Sequence, residues 1–150
     1  MGLLGISADE RQQCLTYYEA GLTVIAFLDR EWDTATKYLN MAEEHRLLAT
    51  ELMIHAEIRR VEAGREAVQR YERIEPIPHA ASAVHLVWRD MLLSHLSWAE
   101  ATLSYTEAFA NGTMSNRAHA RSLAETRQLA QAFMEALDLG DEVEGTFLQR

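Results

Sequence analysis

The chain has 150 residues, 23 of them acidic and 14 basic, giving a formal net charge of −9, and its length predicts one domain. One cysteine excludes a disulfide framework, 48 % apolar residues exclude global disorder, and 7 Gly with 2 Pro leave little material for an all-β domain. The acidic balance excludes general nucleic-acid binding, which needs clustered basic side chains to neutralise phosphates.

No apolar run approaches the roughly 18 residues of a membrane span. Met1 to Ile6 lacks the basic and long apolar parts of a secretory leader. The expectation is a cytoplasmic all-α protein with Cys14 reduced and no membrane partner. Ala, the best helix former, occurs 22 times, and 13 of the 14 basic residues are Arg, with Lys37 the exception.

Helix 1 is predicted to start after Ser7. Ser7 and Glu10 have the spacing of a capping box, with Ile6 as the apolar staple before it. The stripe Cys14 or Leu15, Tyr18, Leu22, Ile25 and Leu28 carries the helix to about Leu28, and a turn is placed at Asp29 and Arg30. Helix 2 then runs to Pro76, interrupted only by Gly64, where a bend is the alternative. Ala35, Ala42, Ala49, Ala56 and Ala63 recur every seven residues, and Tyr38, His45 and Leu52 follow the first three at the second seam position. That pattern predicts a close helix–helix contact along helix 2.

Pro76-Ile77-Pro78 ends helix 2. Helix 3 is expected from His79 to Ala110, with Val84, Trp88, Met91, His95, Ala99, Thr102, Thr106 and Phe109 on one face. Leu86 and Leu93 fall on the opposite arc, so the helix reads as covered nearly all round. Asn111-Gly112 is a stop and a turn. Helix 4 starts near Ser115 and carries His119, Leu123, Thr126, Ala130, Phe133 and Leu137. Residues 1–139 are thus expected to form one antiparallel four-helix bundle with long central helices 2 and 3. Residues 140–150 are read as a mobile acidic tail, with Phe147 and Leu148 free to dock on a partner.

In that arrangement helix 1 covers half of helix 2, and helix 4 half of helix 3. A two-helix arm, about 57–97, is left uncovered, and an exposed apolar patch marks an interface. The expected interface residues are Val68 and Tyr71 on helix 2 with Leu86, Trp88 and Leu93 on helix 3. The charged residues of the arm, Glu57, Arg59, Arg60, Glu62, Glu66 and Arg70 among them, read as a solvated face with pairs such as Glu66–Arg70.

The run Asp29-Arg30-Glu31-Trp32-Asp33-Thr34-Ala35, followed by Tyr38, Leu39 and Ala42, looks like the second helix of a tetratricopeptide hairpin. Residues 15–45 resemble one such hairpin, which implies helix–turn–helix packing there. Thr23 stands where that motif has a Gly, no Pro follows the second helix, and no second copy occurs at the repeat period.

No Glu lies three residues before any His, so the carboxylate di-metal signature of helical bundles is absent. No metal is favoured and no cofactor is expected. The weak metal candidates are Cys14, His45 and His119, placed near one layer, with Glu19 beside them. His85-x-x-Trp88 and His95-x-x-Trp98 each share a helix face. No residue set supports nucleophilic catalysis. The leading expectation is a non-enzymatic interaction or scaffold module that pairs with itself. The alternatives are a small-ligand or metal-binding bundle and an accessory subunit of another protein.

Overall fold

The computed structural model describes residues 7–149, which places the expected staple residue Ile6 outside the described part. Four long helices follow one another: α1 (Ala8–Glu44), α2 (Ala49–Glu72), α3 (Ser82–Ala110) and α4 (Asn116–Gln149). Short 3-10 turns at Arg46–Leu48 and His79–Ala81 lead into α2 and α3. Consecutive helices run antiparallel and pack as α1 on α2, α2 on α3 and α3 on α4. Side chains from α1 and α4 close the ring, with Tyr18 against Phe147 and Trp32 against Phe133. The all-α four-helix bundle is therefore the fold.

The predicted start of α1, end of α3 and start of α4 hold. Ser7 Oγ accepts from the Glu10 amide at 3.1 Å, and Ser115 Oγ from the Ala118 amide at 3.2 Å, each serving an orphan donor of a first turn. At the end of α3, Gly112 adopts φ +64°. Its amide bonds the Phe109 carbonyl and the Thr113 amide bonds that of Ala108, both at 3.2 Å, which is the Schellman pattern.

The first half of the chain folds differently from expectation. There is no turn at Asp29-Arg30; α1 passes straight through it, and the chain reverses at residues 45–48 instead. The tetratricopeptide-like hairpin is thus one unbroken helix. Ala35 and Ala42 are buried on α1, and Ala56 and Ala63 on α2, so the seven-residue seam is split between two helices. Gly64 is no bend: α2 is continuous there, and a Cβ on it would lie 3.2 Å from His95 Nδ1.

These boundaries remove the uncovered arm. Residues 14–35 of α1 run beside the second half of α2, and α4 continues along α3 to Gln149. Residues 140–149, expected to be mobile, are helical because they have somewhere to dock. Gly140 rests on Trp88 and Met91, and Phe147 is only 3 % exposed against the Tyr18 ring. Charged pairs also differ: Glu66–Arg70 forms at 2.9 Å as expected, but Arg59 reaches Glu31 of α1 at 2.9 Å and ties the two helices together.

Two glycines make opposite predictions. A Cβ on Gly21 would sit 2.9 Å from Trp88 Cζ3, inside a packed ring, whereas one on Gly145 meets nothing within 4 Å. Urea denaturation is expected to show Gly145→Ala stabilising by about 0.5 kcal/mol and Gly21→Ala destabilising by about 1–2 kcal/mol. Phe147→Ala is expected to cost about 3 kcal/mol in the same measurement, while Leu148→Ala stays within about 0.5 kcal/mol of wild type.

Candidate functional site

The residues expected at an interface divide into two groups. Tyr71 is fully buried and Trp88 is 3 % exposed, both inside the chain's own core, and Val68 is half-buried against that core. Leu86 is 58 % exposed. Leu93 is half-buried and lines a shallow hollow between α3 and α4 with Leu129 and Ala132.

Tyr71 belongs to a polar clasp that joins three helices. Tyr17 Oη lies 2.7 Å from Tyr71 Oη and 2.7 Å from His85 Nδ1, and the Tyr71 hydroxyl donates to the His85 carbonyl at 3.2 Å. One chain of donors satisfies all three contacts: His85 Nδ1–H to Tyr17, Tyr17 to Tyr71, Tyr71 to the carbonyl. Burial pushes the Tyr17 phenol up to about 12 and raises Tyr71 as well. Burial and the nearby Arg89 push His85 down, so the clasp is neutral near pH 7.

The metal candidates do not come together. Cys14 lies in the first half of α1, and His45 is exposed in the turn after it. About 30 helical residues separate them, roughly 45 Å along the axis. His119 instead meets Tyr105, 3.0 Å from Nε2 to the hydroxyl. Among the described residues no group of three or more His, Cys, Asp or Glu is placed to hold a metal ion. Burial, with Glu10 nearby, raises the Cys14 thiol and keeps it protonated.

The middle of the bundle holds a more distinctive arrangement. α1 and α4 stand apart there, and a cavity of about 200 Å³ lies between them with α3 as its floor. Ile25, Leu28 and Trp32 come from α1, Met91, Leu92 and His95 from α3, and Phe133 and Leu137 from α4. Asp29 is exposed at the cavity's edge, and desolvation together with Asp33 raises its carboxyl.

Trp32 organises this region. Its indole N–H donates to His95 Nε2, and its ring lies 5.5 Å from Trp98 and 6.4 Å from Phe133. The Arg60 guanidinium sits 4.6 Å over the same indole. His95 is 1 % exposed; burial first, and the Arg60 charge second, push it down to about 4. Because Nε2 accepts from Trp32, the neutral ring carries its proton on Nδ1, which has no hydrogen-bond partner. Such an imidazole has no free lone pair with which to act as a base.

On its other side Trp32 borders a much smaller hollow, about 10 Å³, shared with Glu57, Arg60, Trp98, Ala99 and Thr102. That volume is on the scale of one water molecule. Glu57 is 6 % exposed, its Oε1 accepts from the Thr106 hydroxyl at 3.0 Å, and burial raises its carboxyl. Glu57 Oε2 and Arg60 Nε are both buried without partners.

Sequence reasoning placed His95 on a buried face correctly and paired it with Trp98. It read Glu57 and Arg60 as solvated surface charges. The signal that locates them is their position beside Ala56, on the edge of the small-residue seam. Among the described residues no helix is long and apolar enough to cross a membrane.

His95 predicts a pH dependence. Its folded pKa lies below the unfolded value, so the unfolded chain binds more protons between about pH 6.5 and 4. Stability is therefore expected to fall as pH drops through that window, by up to about 3 kcal/mol from this group. The raised carboxyl of Glu57 acts oppositely above its unfolded pKa, so the measurement is differential. Denaturation of His95→Phe at pH 7 and pH 4.5 is expected to show a smaller acid loss than wild type. No family model, curated protein or solved structure matches this chain, so its site is read from its own residues.

Proposed function

We propose that this chain is a small-molecule-binding helical bundle whose site is the cavity between α1 and α4. The observation that carries this reading is a space of about 200 Å³ walled almost wholly by apolar and aromatic side chains. The space is open to solvent along one side, and a benzene-sized molecule that enters it exchanges water for apolar walls. A ring of that size, or a short branched alkyl group, is the complementary body. Aromatic walls from Trp32 and Phe133 favour the ring, because edge-to-face contacts add to burial.

The surroundings support binding rather than turnover. His95 is neutral with its Nε2 engaged by Trp32, and the one carboxyl on the space, Asp29, is exposed at its edge with no base beside it among the lining residues. The self-pairing scaffold reading rested on an arm that α1 and α4 cover; it keeps Leu86 as its exposed residue. A metal-binding reading has no cluster to support it among the described residues.

Toluene is the direct probe. At a few times its Kd it is expected to raise the melting temperature by about 2–4 °C. It is also expected to shift the amide signals of residues 25–32 and 133–137. Leu137→Trp, which fills the space, is expected to abolish both effects while circular dichroism remains helical. A wild-type melting temperature unmoved by saturating toluene overturns the reading.

A further inference from the structure

Glu57 and Arg60 pose a problem that packing does not solve. A carboxylate 6 % exposed carries an oxygen without a partner, and the guanidinium of the next turn carries a buried N–H without one. The two do not pair with each other: Glu57 bonds Thr106 and Arg60 lies over Trp32. Buried polar groups are nearly always satisfied, and an unsatisfied pair weighs against stability. Both groups line the small hollow, and only the Trp32 indole borders that hollow and the larger apolar cavity alike.

We propose that the two spaces are the two halves of one ligand site, with Glu57 and Arg60 as the head-group subsite and Trp32 as a movable partition. This rests on the cavity reading above and adds the ligand's class: a small aromatic body bearing a neutral carboxamide. The charge balance selects the head. A ligand carboxylate meets the negative Glu57, and a ligand ammonium meets the positive Arg60. A primary carboxamide is neutral and holds both complements, since its N–H donates to Glu57 Oε2 and its carbonyl accepts from Arg60 Nε. The Thr102 hydroxyl is already engaged with the Trp98 carbonyl at 2.8 Å, and the Thr106 hydroxyl with Glu57 Oε1, so neither competes.

The small hollow is too tight for the head group while Trp32 stays in place. Trp32 is half-buried, and a change of its side-chain rotamer would turn the ring outward. That movement gives up the bond to His95 and the stacking of Arg60. The ligand amide takes the place of the indole on Arg60, and its ring occupies the aromatic space.

The test compares benzamide, benzoate and toluene on the full chain and on Glu57→Met, by calorimetry and by the indole N–H signals of the tryptophans. Benzamide is expected to bind wild type about tenfold tighter than toluene, as for one or two net hydrogen bonds. It is expected to move the Trp32 indole signal away from its His95-bonded position, and benzoate is expected to bind more weakly than benzamide. In Glu57→Met the benzamide advantage is expected to vanish while toluene binds as before, which also shows that the variant is folded. Three results overturn the proposal and leave the cavity reading standing. In the first, benzamide binds no tighter than toluene, as when the hollow takes only water. In the second, benzoate equals benzamide; in the third, the advantage survives in Glu57→Met. Failure of every ligand, toluene included, overturns both.

Discussion

Trp88 lies inside the bundle with a glycine on either side, and the spacing of three helices follows from that contact. A Cβ on Gly21 of α1 would be 2.9 Å from its six-membered ring, and one on Gly140 of α4 would be 3.6 Å from Cδ1. The indole N–H reaches the Gly140 carbonyl at 3.4 Å, too long to be strong but aimed at the same place. At Gly21 only a helix without a side chain can close on a ring of that size, whereas a Cβ at Gly140 would rest on Trp88 in ordinary contact. Once α4 is drawn in there, its last turns lie along Tyr18. Phe147 then buries itself and Tyr18 donates to Glu144 at 2.9 Å. The order of residues 140–149 is thus a consequence of the tryptophan, since their own acidic, glycine-containing composition favours no helix.

The same constraint explains why a cavity opens farther along. At the Trp88 layer the glycines let α1 and α4 approach, and the Tyr17–Tyr71–His85 clasp binds α1 to α2 and α3 close by. Toward the middle of the bundle the facing positions carry Ile25, Trp32, Phe133 and Leu137 in place of glycine. Flat rings meeting at tilted angles hold the helices apart without filling the space between them. The Trp32, Trp98 and Phe133 rings lie 5.5–6.4 Å from one another, each touching a neighbour at an edge or at a partial stack. One end of the bundle is therefore closed by close approach and the middle is propped open by aromatic bulk.

Much of this architecture was legible in the sequence, and the part that was not has a definite physical cause. The all-α class, the Pro76-Ile77-Pro78 break, the Asn111-Gly112 stop and the Ser7 cap all rest on local chemistry that the sequence displays. The α1–α2 reversal at His45-Arg46-Leu47-Leu48 contains no Gly, Pro, Asn or Asp, so nothing local announces it. The alanine seam misled because a seven-residue repeat is unchanged by folding back on itself. Tyr38 meets His55 and Arg59 meets Glu31, a register that sets Ala35 level with Ala56 and Ala42 level with Ala49. An antiparallel hairpin about that turn uses the alanines as well as a single long helix does. The hairpin prevails because it also buries Tyr17, Val24 and Leu28 against Ala63, Ala67 and Tyr71.

The site was less legible than the fold for a different reason. Glu57 and Arg60 sit among ten charged residues spread over 57–75, and composition there points to solvent. Their burial comes from two other helices: Trp32 on α1, with the close pairing of α1 and α2 at Ala35 and Ala56, and Ala99, Thr102 and Thr106 on α3. Folding alone does not require charges at both positions, because replacing buried charged groups by well-packed hydrophobic ones is commonly neutral or stabilising. Retaining two charges, each with an unsatisfied atom, beside a tryptophan that separates them from an apolar space is a local conflict with the rest of the core. Conflicts of that kind concentrate where a protein binds something.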